Sequence, residues 1–343
     1  MAKLSKADQE PPPPETLMDL LFGTVSVPME KIPILRAGIE LKVWDRIAAG
    51  QRNVNEIASI VGADPIGMRL LLDALTVMKL LQKKDSVYSL PDWAEIYLLH
   101  GKPTYLGDFV LEWLAWEGHG QLAKAIRTGK HPIIPDVTRE GSVSHFIPFY
   151  AVRASAPHYY IQRYSDYWQT LQVEPCDGLQ VLDLACGVGI ASFALAVRHT
   201  GIRVTLQDWP IMLELALKAA RILGIEQQVT LLPGDMLTMD YGQGRFDIAR
   251  FGYVTYFFGA DELLKVFLRI YEALVPGGIL VIEAPLCDEG HCENEDAVLD
   301  GPWLYAISAK GEVYSFLDYK GLLEQAGFNS VFQCKEDLIK AVR

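Results

Sequence analysis

The chain has 343 residues, 50% of them apolar, with 31 Lys and Arg against 43 Asp and Glu, for a formal charge of −12 at pH 7. That length supports two domains and a sizeable core. The negative balance disfavours nucleic acid or an anionic membrane as partner and leaves a small molecule as the expected ligand.

No apolar run approaches the ~18 residues of a membrane span, and the N-terminal stretch Met1–Asp8 lacks an apolar signal core, so a cytosolic protein is expected. Cys176, Cys186, Cys287, Cys292 and Cys334 are an odd set without C-x-x-C spacing and read as reduced thiols, with neither a disulfide framework nor a metal site indicated.

Residues 1–16 place Pro11–Pro14 among polar residues and read as a tail that buries little. Residues 17–102 read as a small helical domain. Ile34, Leu35, Ile39, Leu41, Val43, Trp44 and Ile47 recur at helical spacing, which predicts one helix from Ile32 to Ala48, stopped by Gly50. A short helix follows between Asn53 and Gly62. Asp64-Pro65 then caps a longer one with the stripe Met68, Leu71, Leu72, Leu75 and Met78.

After Leu81, a polar turn between strand-like residues, Gln82–Leu90, completes a winged-helix pattern. A DNA-binding reading is opposed by the helix that would enter the groove. It offers only Arg69 and Lys79 as cations, fewer than phosphate contacts need.

Residues 103–175 are expected to be mainly helical and are dense in Trp, Tyr, Phe and His. Such density is chiefly helix-packing core, yet a helical bridge between two domains is also where an apolar pocket forms. His145 and Phe149 are the substrate-facing candidates there, with His158 beside them. His119 and His199 read as structural or surface residues.

From residue 176 to the end, apolar strands alternate with helices, the pattern of a parallel sheet covered on both faces. Strands are expected at 179–184, 202–207, 228–232, 246–251, 279–284, 329–334 and 337–342, and helices at 190–199, 210–224, 260–274 and 319–326. Gly234, Gly242, Gly244, Gly277 and Gly278 are placed in the connections.

The stretch Gln180–Ala191, QVLDLACGVGIA, runs from an apolar strand through Asp183 and two glycines, Gly187 and Gly189, into a helix start. Glycines there let the backbone approach a ligand closely, and the helix N-terminus offers free N–H groups to it. The second strand ends in Asp208-Trp209-Pro210, at the distance where a doubly wound fold sets an acid against ribose hydroxyls. The third ends in Gly234-Asp235-Met236, suited to an adenine: a carboxylate to accept from the amino group and a thioether to pack on the ring.

With these motifs in place the chain resembles the class I S-adenosylmethionine-dependent methyltransferases, and within them the plant and bacterial small-molecule O-methyltransferases. The likeness covers about residues 17–343 and includes Pro276-Gly277-Gly278 before the fifth strand. It implies an α/β fold, a Rossmann-like seven-stranded methyltransferase sheet behind an N-terminal, mostly helical winged-helix dimerisation domain. It also implies S-adenosylmethionine as cofactor and a homodimer built through the N-terminal domain. Residues 103–175 become a bridge lining the substrate pocket, and 176–343 the catalytic domain. Gly187 and Gly189 would face the methionine part of the cofactor, Asp208 with Trp209 the ribose, and Asp235 with Met236 the adenine. Asp183 joins this set as the acid ending the first strand. Arg250, just past the fourth strand, is expected to border the cofactor or bind an anionic group.

The departure is at the base. The family's L-H-D-W element supplies a histidine that takes the acceptor's proton, and this chain has Thr255-Tyr256-Phe257-Phe258 instead, with Tyr256 at the histidine position. The family's later glutamate falls near Glu312. A phenol of ordinary pKa about 10 is a poor base at neutral pH.

Three readings stay open: O-methylation of an acceptor already ionised, C-methylation, and a changed or lost reaction. C-methylation draws on similarity to the bacteriochlorophyll C-20 methyltransferase branch in Thr138-Arg139-Glu140, Tyr256 and Tyr314–Tyr319, with Tyr305 where that branch has a histidine for the pigment's magnesium. His291, in the acidic loop after the fifth strand, is the other candidate for direct chemistry. The reading from a different class is a regulator that retains the winged helix.

Overall fold

The computed structural model describes residues 27–102, 104–113, 120–129, 136, 138–308 and 310–343. The expected tail at 1–16 and His119 lie outside these residues. The chain forms two compact units that divide between Leu114 and Ala115.

The first unit begins with α1 (Val27–Glu40) and α2 (Val43–Ala48), where the sequence predicts a single helix. The break lies at Lys42, whose backbone is left-handed at φ 55°. This turn seats the Trp44 indole on Gly38, where a Cβ would lie 2.8 Å from the ring. The indole N–H donates to the Leu80 carbonyl at 3.0 Å.

α3 (Val54–Val61) starts on a capping box between Asn53 and Glu56 and ends on left-handed Gly62. α4 (Pro65–Val77) is capped by Asp64, which accepts from the Gly67 N–H at 2.9 Å. The hairpin of β1 (Gln82–Lys84) and β2 (Val87–Ser89) is pinned to α4 through Asp73, which accepts from Tyr88 Oη at 2.7 Å and pairs with Lys83. Arg69, one of the two cations expected on this helix, turns to the same Asp73. α5 (Asp92–Tyr97) and α6 (Gly107–Trp113) complete the unit. Its core is Trp44, Ile57, Met68, Leu72, Leu75 and Tyr88, all buried.

In the second unit, α7 (Leu122–Thr128), a 3-10 turn over Glu140–Phe146, α8 (Ile147–Ser155) and α9 (Pro157–Thr170) precede the sheet. The rest alternates: β3 (Gln180–Leu184), α10 (Ile190–Ala196), β4 (Arg203–Asp208), α11 (Pro210–Leu223), β5 (Val229–Pro233), β6 (Phe246–Gly252), α12 (Ala260–Ala273), β7 (Leu274–Glu283), α13 (Glu295–Ser308), α14 (Phe316–Gln325), β8 (Ser330–Lys335) and β9 (Leu338–Val342). The seven strands lie in the order β5-β4-β3-β6-β7-β9-β8. The first five are parallel, and β9 runs antiparallel to both β7 and β8.

The chain moves outward from β3 to β5 and then returns to β6 on the other side. A topological switch point therefore falls between β3 and β6, and ligands of such sheets bind at the carboxyl ends beside it. Period-two alternation gives each face its own core. Leu182 and Leu184 pack with Val266, Phe267 and Ile270 of α12 and Tyr319 of α14. Val181, Val204 and Leu206 pack with Trp168 of α9, Phe193 of α10 and Ala216 of α11.

Two boundaries correct the sequence reading. β7 starts at Leu274 and takes in Gly277 and Gly278, which exchange backbone hydrogen bonds with Arg343 and are not in a connection. α13 is a helix the sequence did not announce, because Gly301-Pro302 inside it has the composition of a turn.

Candidate active site

Three turns meet at the carboxyl ends of β3, β4 and β5. The first leaves β3 through Ala185, left-handed at φ 45°, and passes Gly187 and Gly189 at φ 56° and 71° before α10 begins. A Cβ built on Gly187 would lie 2.6 Å from the Tyr150 ring, and one on Gly189 2.9 Å from Phe193. Both positions therefore require glycine sterically as well as conformationally.

Gln207, on β4, ties the turns together. Its side-chain oxygen accepts from the Ala185 N–H at 3.2 Å, and its amide donates to the Gly234 carbonyl at 2.6 Å.

Asp208 ends β4 with a buried side chain. Its carboxylate accepts from the Gly187 N–H at 2.8 Å and from its neighbour's N–H, that of Trp209, at 2.7 Å. Burial pushes its pKa up to about 7 against these two donors, with the Asp183 charge adding to the rise. No cation pairs with Asp208 among the described residues. A buried carboxylate that still lacks donors suits a ligand carrying hydroxyl groups.

Asp235 is half-buried and accepts from the Leu237 N–H at 2.9 Å, which makes it also the cap of its own turn. Met236 is 6% exposed and its side chain belongs to the core beneath the turn. The glycine turn, Asp208-Trp209 and Asp235-Met236 thus share one end of the sheet, a cradle that fits a nucleoside-bearing cofactor.

Asp183 and Arg250 form a separate, buried arrangement. Arg250 lies within β6, not past its end as the sequence reading had it, and is in register with Asp183 on β3 and Val281 on β7. Its guanidinium donates to Asp183 at 3.2 Å and to Glu283 at 2.7 Å, under the rings of Tyr164 and Tyr167. Asp183 also accepts from Ser192 Oγ at 2.7 Å. Burial pushes the Asp183 carboxyl up, opposed by Arg250 and then by Ser192. Both residues are committed to this network, which braces the strand ends from the α9 side.

Tyr256 sits in a 3-10 turn after β6, half-buried, its ring 4.7 Å from that of Phe257. Its carbonyl accepts from the Glu312 N–H at 3.0 Å, so the glutamate segment does reach the position of the missing histidine. Burial, followed by the nearby Tyr150, pushes its phenol pKa well above the ordinary value. It is held protonated at neutral pH.

His291 and Tyr305 line a cavity of about 600 Å³ together with Cys287, Val298, Gly311 and Val313. Tyr256 packs on the apolar cluster of Cys287, Leu304 and Val313 behind its wall. His291 is left-handed at φ 51°, on a loop whose backbone N–H groups converge on Asp288. Its Nδ1 lies 3.3 Å from Cys287 Sγ and its Nε2 3.6 Å from Asp318. Both ring nitrogens are thus engaged locally. Phe149 on α8 carries the Arg153 guanidinium 4.1 Å above its ring. His145 lies in the 3-10 turn over Glu140–Phe146, and its side chain falls outside the described residues. Among the described residues no cluster of side chains has a metal-ligating arrangement.

Tyr150 and Gln207 were not singled out from the sequence. An aromatic in a helix and an amide in a strand carry no signal until long-range contacts place them. The sequence reading expects Arg250 to border the cofactor or an anionic group; its anionic partners are Asp183 and Glu283, and Glu283 has no role in that reading.

The chain matches the methyltransferase domain family over residues 181–278 and the O-methyltransferase dimerisation domain over residues 29–100. It is 24% identical over 321 residues to the S-adenosyl-L-methionine-dependent methyl transferase PigF of Serratia sp., covering 86% of each chain. It is 23% identical over 331 residues to the bacteriochlorophyllide d C-20 methyltransferase of Chlorobaculum tepidum, covering 90% of this chain and 92% of that one. The fold is that of an O-methyltransferase family protein from Burkholderia thailandensis, with a TM-score of 0.76 at 18% identity, covering 97% and 98% of the two chains.

Proposed function

Since the chain is a member of the S-adenosylmethionine-dependent methyltransferases with an O-methyltransferase dimerisation domain, we propose that it methylates a hydroxyl of a small aromatic or largely apolar secondary metabolite without the usual histidine base. S-adenosylmethionine, when bound, supplies an activated methyl group. The glycine turn at Gly187 and Gly189 gives it a close backbone surface, Asp208 and Trp209 hold the ribose, and Asp235 and Met236 border the adenine. Asp183 and Arg250 act from beneath, keeping the strand ends in place.

The observation that carries the base-free reading is the place of Tyr256, a half-buried phenol in the turn after β6 where the family's histidine would stand. A phenol pushed up by burial does not take a proton at neutral pH, though it donates a hydrogen bond to an acceptor oxygen. Rate then comes from holding an already ionised acceptor in line, its proton having gone to solvent. His145, Phe149, Tyr305 and His291 are the residues of this chain proposed to border the acceptor. We place the acceptor in the cavity beside Tyr256, and assembly as a homodimer through the first unit, where Ile66, Leu70 and Val77 of α4 are exposed.

Tyr256→Phe tests the assignment. A fall in kcat of no more than about tenfold, with unchanged cofactor affinity, is expected for a hydrogen-bonding phenol. A loss at or beyond the upper end of the ~10²–10⁴ range typical of a general base would return Tyr256 to that role. Carbon methylation is the second reading, favoured by the absent imidazole and by the C-20 enzyme among the relatives. Transfer from methyl-labelled cofactor followed by NMR of the product separates an O-methyl from a C-methyl signal.

A further inference from the structure

Arg153 lies on α8, one helical turn beyond Tyr150, and plays no part in the contacts described above for the cofactor cradle. Its guanidinium stands 4.1 Å from the Phe149 ring, 5.6 Å from Tyr160 and 6.0 Å from Tyr150. The residue is half-buried. Among the described residues no carboxylate, carbonyl or hydroxyl accepts a hydrogen bond from it. Arg250, which is buried, has two carboxylates by contrast.

A guanidinium carries five N–H donors in a planar fork that matches a carboxylate edge to edge. Aromatic faces attract its positive charge but accept few of those donors and hold water away from it. In a chain with 43 acidic residues, a half-buried arginine with no acidic partner among the described residues is poised for an anion from outside the chain.

The position says where that anion sits. The Tyr150 ring lies directly over the Gly187 turn, at 2.6 Å from where a Cβ would stand. Arg153 and the Asp208 carboxylate both act electrostatically on the Tyr150 phenol. The guanidinium is therefore beside the glycine turn, and Asp208 is the acidic group that shares its neighbourhood.

We propose that Arg153 is the carboxylate anchor of this site, held ready by Phe149, Tyr150 and Tyr160. This rests on the methyl-transfer reading above. The carboxylate belongs either to the amino-acid end of the cofactor or to an acidic acceptor, and the two sources are separable by experiment.

Arg153→Met keeps the apolar stem and removes the fork; Arg153→Lys keeps the charge. Each variant, checked for an unchanged melting temperature, is titrated calorimetrically with S-adenosylhomocysteine and with methylthioadenosine, which lacks the carboxylate. Each is also titrated, at saturating S-adenosylhomocysteine, with 6-hydroxy-2-naphthoate and its neutral carboxamide. A loss of about tenfold or more for S-adenosylhomocysteine but not methylthioadenosine, partly restored in Arg153→Lys, assigns the cofactor's carboxylate. The same loss confined to the naphthoate against its amide assigns an acceptor's carboxylate. Unchanged affinity for all four probes in a folded Arg153→Met protein overturns the anchor and leaves the methyltransferase reading intact. Absence of S-adenosylhomocysteine binding by the wild-type protein contradicts the methyl-transfer reading itself. Should Arg153→Met not fold, Arg153→Lys alone decides. The loss of bidentate geometry weakens the carboxylated probe selectively, and equal affinity overturns the proposal.

Discussion

Asp208 is the residue at which structure and pH meet. Its pKa of about 7 lies well above the ordinary value near 3.9, and burial is the cause. The folded chain keeps a proton that the unfolded chain has already released. The contribution of this group to stability is therefore full below about pH 4 and is lost as pH rises through about 7. Ligand hydroxyls donating to the carboxylate favour its ionised form, so S-adenosylhomocysteine affinity should rise with pH up to about 7 and flatten above it. Calorimetric titration between pH 5.5 and 8.5 checks this, and Asp208→Asn should abolish the slope. An affinity that falls over the same range would contradict the proposed role.

Gly187 gives a second test at this scale. Gly187→Ala forces a Cβ into a left-handed backbone at 2.6 Å from the Tyr150 ring. The strain should cost about 1–3 kcal/mol of stability and weaken S-adenosylhomocysteine binding at least tenfold, read from the melting temperature and a titration. Wild-type values for both would mean that the turn and Tyr150 move apart freely.

Among the elements, the central strands are held by more than their ladder. Arg250 on β6 links Asp183 on β3 and Glu283 on β7 across the middle of the sheet, with all three side chains nearly inaccessible. Removing the cation leaves two buried carboxylates without it. Arg250→Met should therefore cost about 3–5 kcal/mol, measured by denaturant unfolding, and a cost below about 1 kcal/mol would show the network to be solvated.

The sheet itself was legible because its strands are apolar runs ended by Gly, Pro and Asp, so every strand predicted from the sequence exists. Three features were not legible. The break at Lys42 depends on where Trp44 finds a seat, α13 runs through Gly301-Pro302 in spite of local preference, and β7 is extended over Gly277-Gly278 by pairing with Arg343. The first and the last are set by distant contacts, Trp44 with Leu80 and Gly277-Gly278 with Arg343, which propensity and periodicity do not contain.

On the scale of the whole molecule, the chain joins a winged-helix unit to a methyltransferase unit, and the first is proposed to serve assembly. No helix among the described residues is long and apolar enough to cross a membrane. Sedimentation should give twice the 38.3 kDa of one chain, with Leu70→Glu shifting the protein toward monomer if the exposed face of α4 is the contact. That Gly187, Gly189, Asp208 and Asp235 share one end of the sheet could be read in advance because strand-end motifs are local. The seat of Tyr150 over the Gly187 turn, with Arg153 beside it, could not, since those contacts form only in three dimensions.

The methyl transfer proposed for this chain needs no side-chain base. This is tested most directly by the pH dependence of kcat/KM, at saturating S-adenosylmethionine, for two phenolic acceptors of different acidity. Each profile is expected to rise tenfold per pH unit to a plateau at that acceptor's own pKa, in the wild-type protein and in Tyr256→Phe alike. One midpoint shared by both acceptors and lost in a single-residue variant would reveal an enzyme base and contradict it.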